Sequence, residues 1–166
     1  MPASPIASPE ERAECAGAVL DWAALSVVDS TGPVTAPAVL AVESDPDLDR
    51  WYIRLKGAEK DVVTIWLTVG QRTLRHVAHF MPAPETNLEQ TYEYLLRRNS
   101  SLVGMRFCLG DEDAVFLVGE MPVTDVTVEE IDRIVGTSLE YVESCFPAAM
   151  TLGYARTYKR RPRRQP

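Results

Sequence analysis

The stretch WYIRLKGAEKDVVTIWLTVGQRTLRHVAHFM, residues 51–81, decides the fold. Side chains on a strand alternate between two faces, and this stretch alternates three times over. In VVTIWLTV, Val63, Ile65, Leu67 and Val69 share one face, while Thr64, Trp66 and Thr68 share the other. WYIRL before it and TLRHVAHFM after it follow the same rule. The separators KGAEKD and GQR are short enough for hairpins, so the three strands are expected to be antiparallel neighbours.

The same stretch holds both histidines of the chain, His76 and His79. Residues three apart on a strand point to opposite faces, so the two cannot reach one ion without a bulge. His76 lies with Leu74, Ala78 and Phe80, and His79 with Arg75, Val77 and Met81. Neither has a Cys, Asp or Glu at ligand spacing, and no metal site is expected. The pair reads as strand, one member half buried.

Working outward, MPAPETN breaks the sheet, because each proline removes a ladder donor and constrains the residue before it. Asn87, with Gln90 as box partner, is expected to cap a second helix with Leu88, Tyr92, Leu95 and Leu96 as its buried stripe. Glu93 and Arg97 form an i,i+4 pair on its exposed side. Two more strands follow, GMRFCLG and AVFLVGEM, joined by the acidic tip Asp111–Asp113. Thr127 and Glu130 then open a third helix, with the stripe Ile131, Ile134, Val135, Leu139, Val142 and Phe146. Pro147 is expected to end or kink it, leaving AAMTLGYA as a last short turn.

Toward the N-terminus, the Pro/Ala/Ser-rich residues 1–8 read as a disordered leader. Ser8 as N-cap, Pro9 at the first helical position and Glu11 closing a capping box start a first helix running to about Leu25. A turn-rich segment, DSTGPVTAPAV, ends it, and only a short strand near Val39–Val42 is suggested before the loop ESDPDLD. The element order is therefore α-β-β-β-α-β-β-α. It implies an α+β domain over residues 9–155: an antiparallel five-stranded sheet with helices packed mainly on one face.

Composition narrows the function. The 166 residues give room for one domain with a proper core, and 46% hydrophobic with 25% charged content is ordinary for a soluble globular protein. No apolar run is long enough to span a bilayer, and the N-terminus lacks the features of a secretory signal. Three distant cysteines, Cys15, Cys108 and Cys145, suit buried thiols in a reducing cytoplasm better than disulfides or zinc. The net charge of −7 is uneven. Residues 156–166 form a basic tail carrying Arg156, Lys159, Arg160, Arg161, Arg163 and Arg164, which leaves 11 Lys/Arg against 24 Asp/Glu in the rest. Such a body repels nucleic acid and anionic lipid, while the tail could attract them.

No nucleophile elbow, phosphate-binding loop, dinucleotide fingerprint or zinc-protease motif is present. Asp45, Asp47 and Asp49 mimic the start of a calcium loop, but its sixth position is Arg50 and its twelfth is Lys56. Cys108 has no histidine paired with it in the sequence and reads as packing. No catalytic residue and no cofactor is assigned. The sheet face opposite the apolar one is more informative. It gathers Tyr52, Arg54, Thr64, Trp66, Thr68, Arg106 and Cys108, and interleaved aromatics and arginines are the composition of binding surfaces. A second layer over this face, from the first helix or the C-terminal segment, is the structural alternative. Tyr52, Arg54, Trp66 and Arg106 are the partner-binding candidates.

WLTVGQRTL, FMPAPETN, YEYLLRRNSSLVG and VEEIDRIVGTSLEYVE together resemble the actinobacterial branch of the YbjN family, to which a role in bacterial sensory transduction is ascribed. The resemblance covers about residues 50–153. It implies a fold similar to type III secretion chaperones, which are non-enzymatic, dimerise and bind partner polypeptides, and it carries over no catalytic residue. The expectation is a cytoplasmic, non-catalytic, chaperone-like protein-binding or regulatory domain, forming a homodimer. The alternative is an accessory protein for nucleic acid or an anionic surface that acts through Lys159, Arg160, Arg161, Arg163 and Arg164.

Overall fold

In the computed structural model, residues 5–28, 38–160 and Pro162 are described. Helix α1 (Pro9–Val28) leads into strands β1 (Val39–Asp45), β2 (Arg50–Lys56), β3 (Val62–Val69) and β4 (Thr73–Met81). Helix α2 (Leu88–Asn99), strands β5 (Arg106–Leu109) and β6 (Val115–Pro122) and helix α3 (Val128–Gly153) follow. The strands form one sheet in the order β1-β2-β3-β4-β6-β5, with every neighbouring pair antiparallel.

The expected α+β class and antiparallel sheet are present, but the sheet has six strands rather than five and the order gains a strand before β2. The segment suggested as a short strand near Val39–Val42 is a full edge strand reaching Asp45, paired with β2 from Val39↔Leu55 to Asp45↔Arg50. Its weak signal has a physical cause: an edge strand is half solvated, so Glu43 and Ser44 break the apolar alternation. The turn into β2 is fixed by the Asp45 carboxylate, which accepts the Asp47 N–H at 3.1 Å, and by Asp49 at φ 47°. The aspartates that mimic a calcium loop are thus a hairpin connection.

All three helices pack on the apolar face. Cys15, Val19 and Trp22 of α1, Leu95 of α2 and Ile131, Ile134 and Val142 of α3 share one core with Ile53, Ile65, Leu67, Phe80 and Leu117 of the sheet. Burying each such side chain contributes roughly 1.5–3 kcal/mol. The α1 capping box forms as expected: Ser8 N–H donates to Glu11 Oε2 at 2.7 Å and Glu11 N–H to Ser8 Oγ at 3.1 Å. Trp22 Nε1–H donates to Asp132 at 3.0 Å and ties α1 to α3. The Ala7 N–H reaches the Gln71 carbonyl at 2.8 Å, so the chain just ahead of α1 is bound to the β3–β4 turn.

Two helix expectations are corrected. On α2, Leu95 is buried with Thr91, while Leu88 and Leu96 stand 49% and 69% exposed. Asn87 forms no side-chain cap; it sits at φ 48° and donates its amide to the Leu152 carbonyl at 3.1 Å. The end of α3 therefore anchors the start of α2, whose apolar stripe is only partly buried. On α3, Pro147 does not end the helix; the segment expected as a short turn continues it to Gly153. Proline costs one ladder hydrogen bond. Here Pro147 is itself buried between Cys145 and Ala149, which are fully buried, and that packing opposes the loss.

Candidate protein-docking face

The register of the sheet sets its outer face. Tyr52 lies opposite Trp66, Trp66 opposite Val77, Val77 opposite Val118 and Val118 opposite Arg106. In the next row Arg54 is opposite Thr64, His79 opposite Phe116 and Phe116 opposite Cys108. The four candidates Tyr52, Arg54, Trp66 and Arg106 thus stand on one face. None of them belongs to the hydrophobic core, and among the described residues the helices meet the other face. Tyr52 and Trp66 are half-buried, and Arg54 and Arg106 are exposed. The covering layer considered as the structural alternative is not formed by α1 or by the described C-terminal segment.

The aromatic rings touch in sequence. Tyr52 meets Trp66 edge-on at 6.5 Å between centroids, Trp66 lies 5.8 Å from Phe116, and Phe116 meets His79 edge-on at 5.4 Å. Such pairs prefer edge-to-face or offset geometry and stiffen one another, so this strip is ordered before anything docks. Phe116 and His79 are members that sequence reasoning missed. Strand parity was available for both, but placing β6 beside β4 required a crossover that no hairpin signal announces.

Charge surrounds the strip. Arg50, Arg54, Lys56, Arg75 and Arg106 share its strand parity, against Glu43, Asp45 and Glu120. Arg50 donates from Nε to Thr68 Oγ1 at 2.9 Å, which holds its guanidinium along the face. His79 adds no charge near neutral pH. Burial first, then the Lys60 ammonium, pushes its pKa below the usual histidine range, against a smaller opposing effect of its own backbone. Lys60 contacts His79 Nδ1 at 3.3 Å, donates to the carbonyls of His79 and Phe80, and lies 5.9 Å from the Phe146 ring centroid. Burial lowers its pKa to about 8 although Glu143 opposes the shift.

On the inner face, His76 is 4% exposed and neither ring nitrogen has a partner. It borders a cavity of about 50 Å³ lined by Gly104, Met105, Met121, Arg133 and Ile134 among others. Burial first, and the Arg133 guanidinium second, pull its pKa down to about 4. His76 and His79 do point to opposite faces, as expected from their spacing. Among the described residues no three His, Cys, Asp or Glu side chains gather into a group that could hold a metal ion.

Of the tail, Lys159 is exposed, and Arg160 pairs with Glu59 at 2.6 Å. Tyr158 stacks edge-on against Phe146 at 6.1 Å. Arg161, Arg163 and Arg164 lie outside the described residues.

Comparison with known proteins agrees with the motifs. Residues 37–150 match the model of the YbjN family, whose description reads "Putative bacterial sensory transduction regulator". An uncharacterised protein of Mycobacterium tuberculosis is 35% identical over 108 residues, covering 65% of this chain and 59% of the relative. One from Mycobacterium bovis matches to the same extent. Another, from Mycobacterium leprae, is 31% identical over 134 residues, covering 80% of this chain and 73% of the relative. The match thus spans about three-fifths of the length of the first two relatives. With the family matched across most of the folded body and its antiparallel sheet and helices in place, the chain belongs to the YbjN family.

Proposed function

We propose that this chain is a non-catalytic regulatory domain, chaperone-like in its mode of action, which docks a protein partner on the outer sheet face through Tyr52, Arg54, Trp66 and Arg106. One observation carries the reading. A pre-ordered aromatic strip, flanked by arginines, lies on a face that no described helix covers. Trp, Tyr and Arg dominate the energetics of protein interfaces, because rigid rings bury large area at little entropic cost. A regulator family is the context in which such a surface has a use. Residues 9–155 then act as one domain, with residues 1–8 as leader and 156–166 as tail, in the cytoplasm. No described helix is long and apolar enough to cross a membrane.

The reading includes a homodimer, favoured by the stripe Leu88, Tyr92 and Leu96 along the outer side of α2. Its flank carries Glu89 and the Glu93–Arg97 ion pair at 2.7 Å, so the stripe is bordered by charge as a helix–helix contact would be. The tail remains the alternative binding element, but Arg160 already spends its charge on Glu59, which leaves the exposed Arg156 and Lys159 as its other described cations.

Affinity capture from native lysate tests the reading with three baits: wild type, Trp66→Ala/Arg54→Glu, and the chain truncated after Ala155. The expected result is one defined protein held by wild type and by the truncated chain, and lost by the double variant. An unchanged catch with the double variant overturns the reading, and loss with the truncation alone transfers the function to the tail.

A further inference from the structure

Resting on the docking reading above, we infer that the occupant of the outer face is an amphipathic helix whose apolar stripe is bordered on both sides by Asp or Glu. Hydrogen bonding and charge both favour a helix. The strip lies on the interior strands β2, β3, β4 and β6, whose backbone groups are already spent on their neighbours. An extended peptide laid on that face would find no free backbone groups to pair with and would rely on water, whereas a helix satisfies its own groups internally. Strand-like addition of a peptide takes place at sheet edges.

In a chain of net charge −7, this face gathers five cations, Arg50, Arg54, Lys56, Arg75 and Arg106, against Glu43, Asp45 and Glu120. The cations also have a layout. Arg50 and Arg54 flank Tyr52 on β2 at one end of the aromatic strip, Arg106 lies on β5 beyond its other end, and Arg75 on β4 stands between them opposite Glu120. Strands β2 and β5 are four positions apart in the sheet, about 19 Å at the usual strand spacing of ~4.8 Å. A helix with side chains is roughly 10–12 Å across, so it fits between these flanks with the arginines reaching its sides. Its stripe meets Trp66, Val77 and Phe116. A basic helix would meet arginines on both borders and is disfavoured.

The test uses two synthetic 18-residue helical peptides with one and the same Leu/Phe stripe, flanked by Glu in one and by Lys in the other. Fluorescence anisotropy against the full chain is expected to give about tenfold tighter binding for the Glu-flanked peptide, the size that two or three partly exposed charge pairs supply. Arg54→Glu/Arg106→Glu is expected to reverse the preference, and Trp66→Ala to weaken both peptides. Both arginines are exposed, so the charge swap leaves the fold intact, which circular dichroism verifies. No binding of the Glu-flanked peptide, equal binding of both, or a preference that survives the charge swap overturns the inference. So does self-association of the free chain that is abolished by Trp66→Ala, since the face is then taken by a second copy. Failure here, with the lysate partner still lost by Trp66→Ala/Arg54→Glu, leaves the docking reading standing and removes only the acidic helix.

Discussion

His76 is the residue at which sequence and environment disagree most. Its strand position asks for an apolar side chain, and the imidazole is buried there with both nitrogens unpartnered beside Arg133. A base whose folded pKa is lowered from 6.5 to about 4 stabilises the fold while it stays neutral. That contribution is complete above the unfolded value and is lost as pH falls from about 6.5 toward 4, on the order of 3 kcal/mol in total. Urea midpoints of wild type are expected to fall over that window, and those of His76→Leu to fall markedly less. Gly119 answers the same ring from β6: an added Cβ would stand 2.2 Å from His76 Nε2 and 2.3 Å from the Gly104 carbonyl oxygen. Gly119→Ala is therefore expected to cost about 2 kcal/mol or more, read as a drop in melting temperature, because the backbone of residue 104 has to move. Neither feature could be read from the sequence. Strand parity put His76 on the inner face, but what lies over it depends on α3 and the loop before β5.

At the scale of elements, long-range anchors override local signals. Glu143 on α3 accepts the backbone N–H groups of Ala58, Glu59 and Lys60 at 2.6, 2.7 and 3.0 Å, clamping the β2–β3 turn to the helix. Replacing Glu143 by Ala leaves these donors without their acceptor and is expected to cost about 1–3 kcal/mol. Faster hydrogen exchange confined to residues 58–60 would identify the clamp as the cause. Helix α2 offers a paired contrast. Leu95→Ala is expected to cost about 2–4 kcal/mol, whereas Leu96→Glu should change stability by no more than about 0.5 kcal/mol. If α2 carries the dimer, Leu96→Glu yields a monomer in sedimentation without loss of stability. A stripe of Leu88, Tyr92, Leu95 and Leu96 is wider than one buried side, and periodicity alone could not say which half the body covers. β1 was legible only in part for the opposite reason: an edge strand, wetted on one side, lacks the alternation that reveals β2, β3 and β4.

At the scale of the whole molecule, residues 51–81 carried most of what could be read. Their alternation gave three neighbouring strands, and the same alternation placed Tyr52, Arg54 and Trp66 together. The motifs around them led to the family. Phe116 and His79 completed the strip only once β6 was known to lie beside β4, a non-local pairing. The resulting molecule is two-sided. One face of the sheet is packed against three helices, and among the described residues the other carries contacting aromatics and surplus arginines. A sheet face built to be solvated would carry short polar side chains, not Tyr, Trp and Phe in mutual contact.

The most direct measurement is site-specific photocrosslinking in the native host, with a benzophenone amino acid placed in turn at Tyr52, Arg106, Leu48 and Asp125. The account predicts one and the same discrete crosslinked polypeptide from Tyr52 and Arg106, and none from Leu48 or Asp125, which lie off the face. Adducts from Leu48 and Asp125 as strong as those from the face, or none from Tyr52 and Arg106, would contradict it.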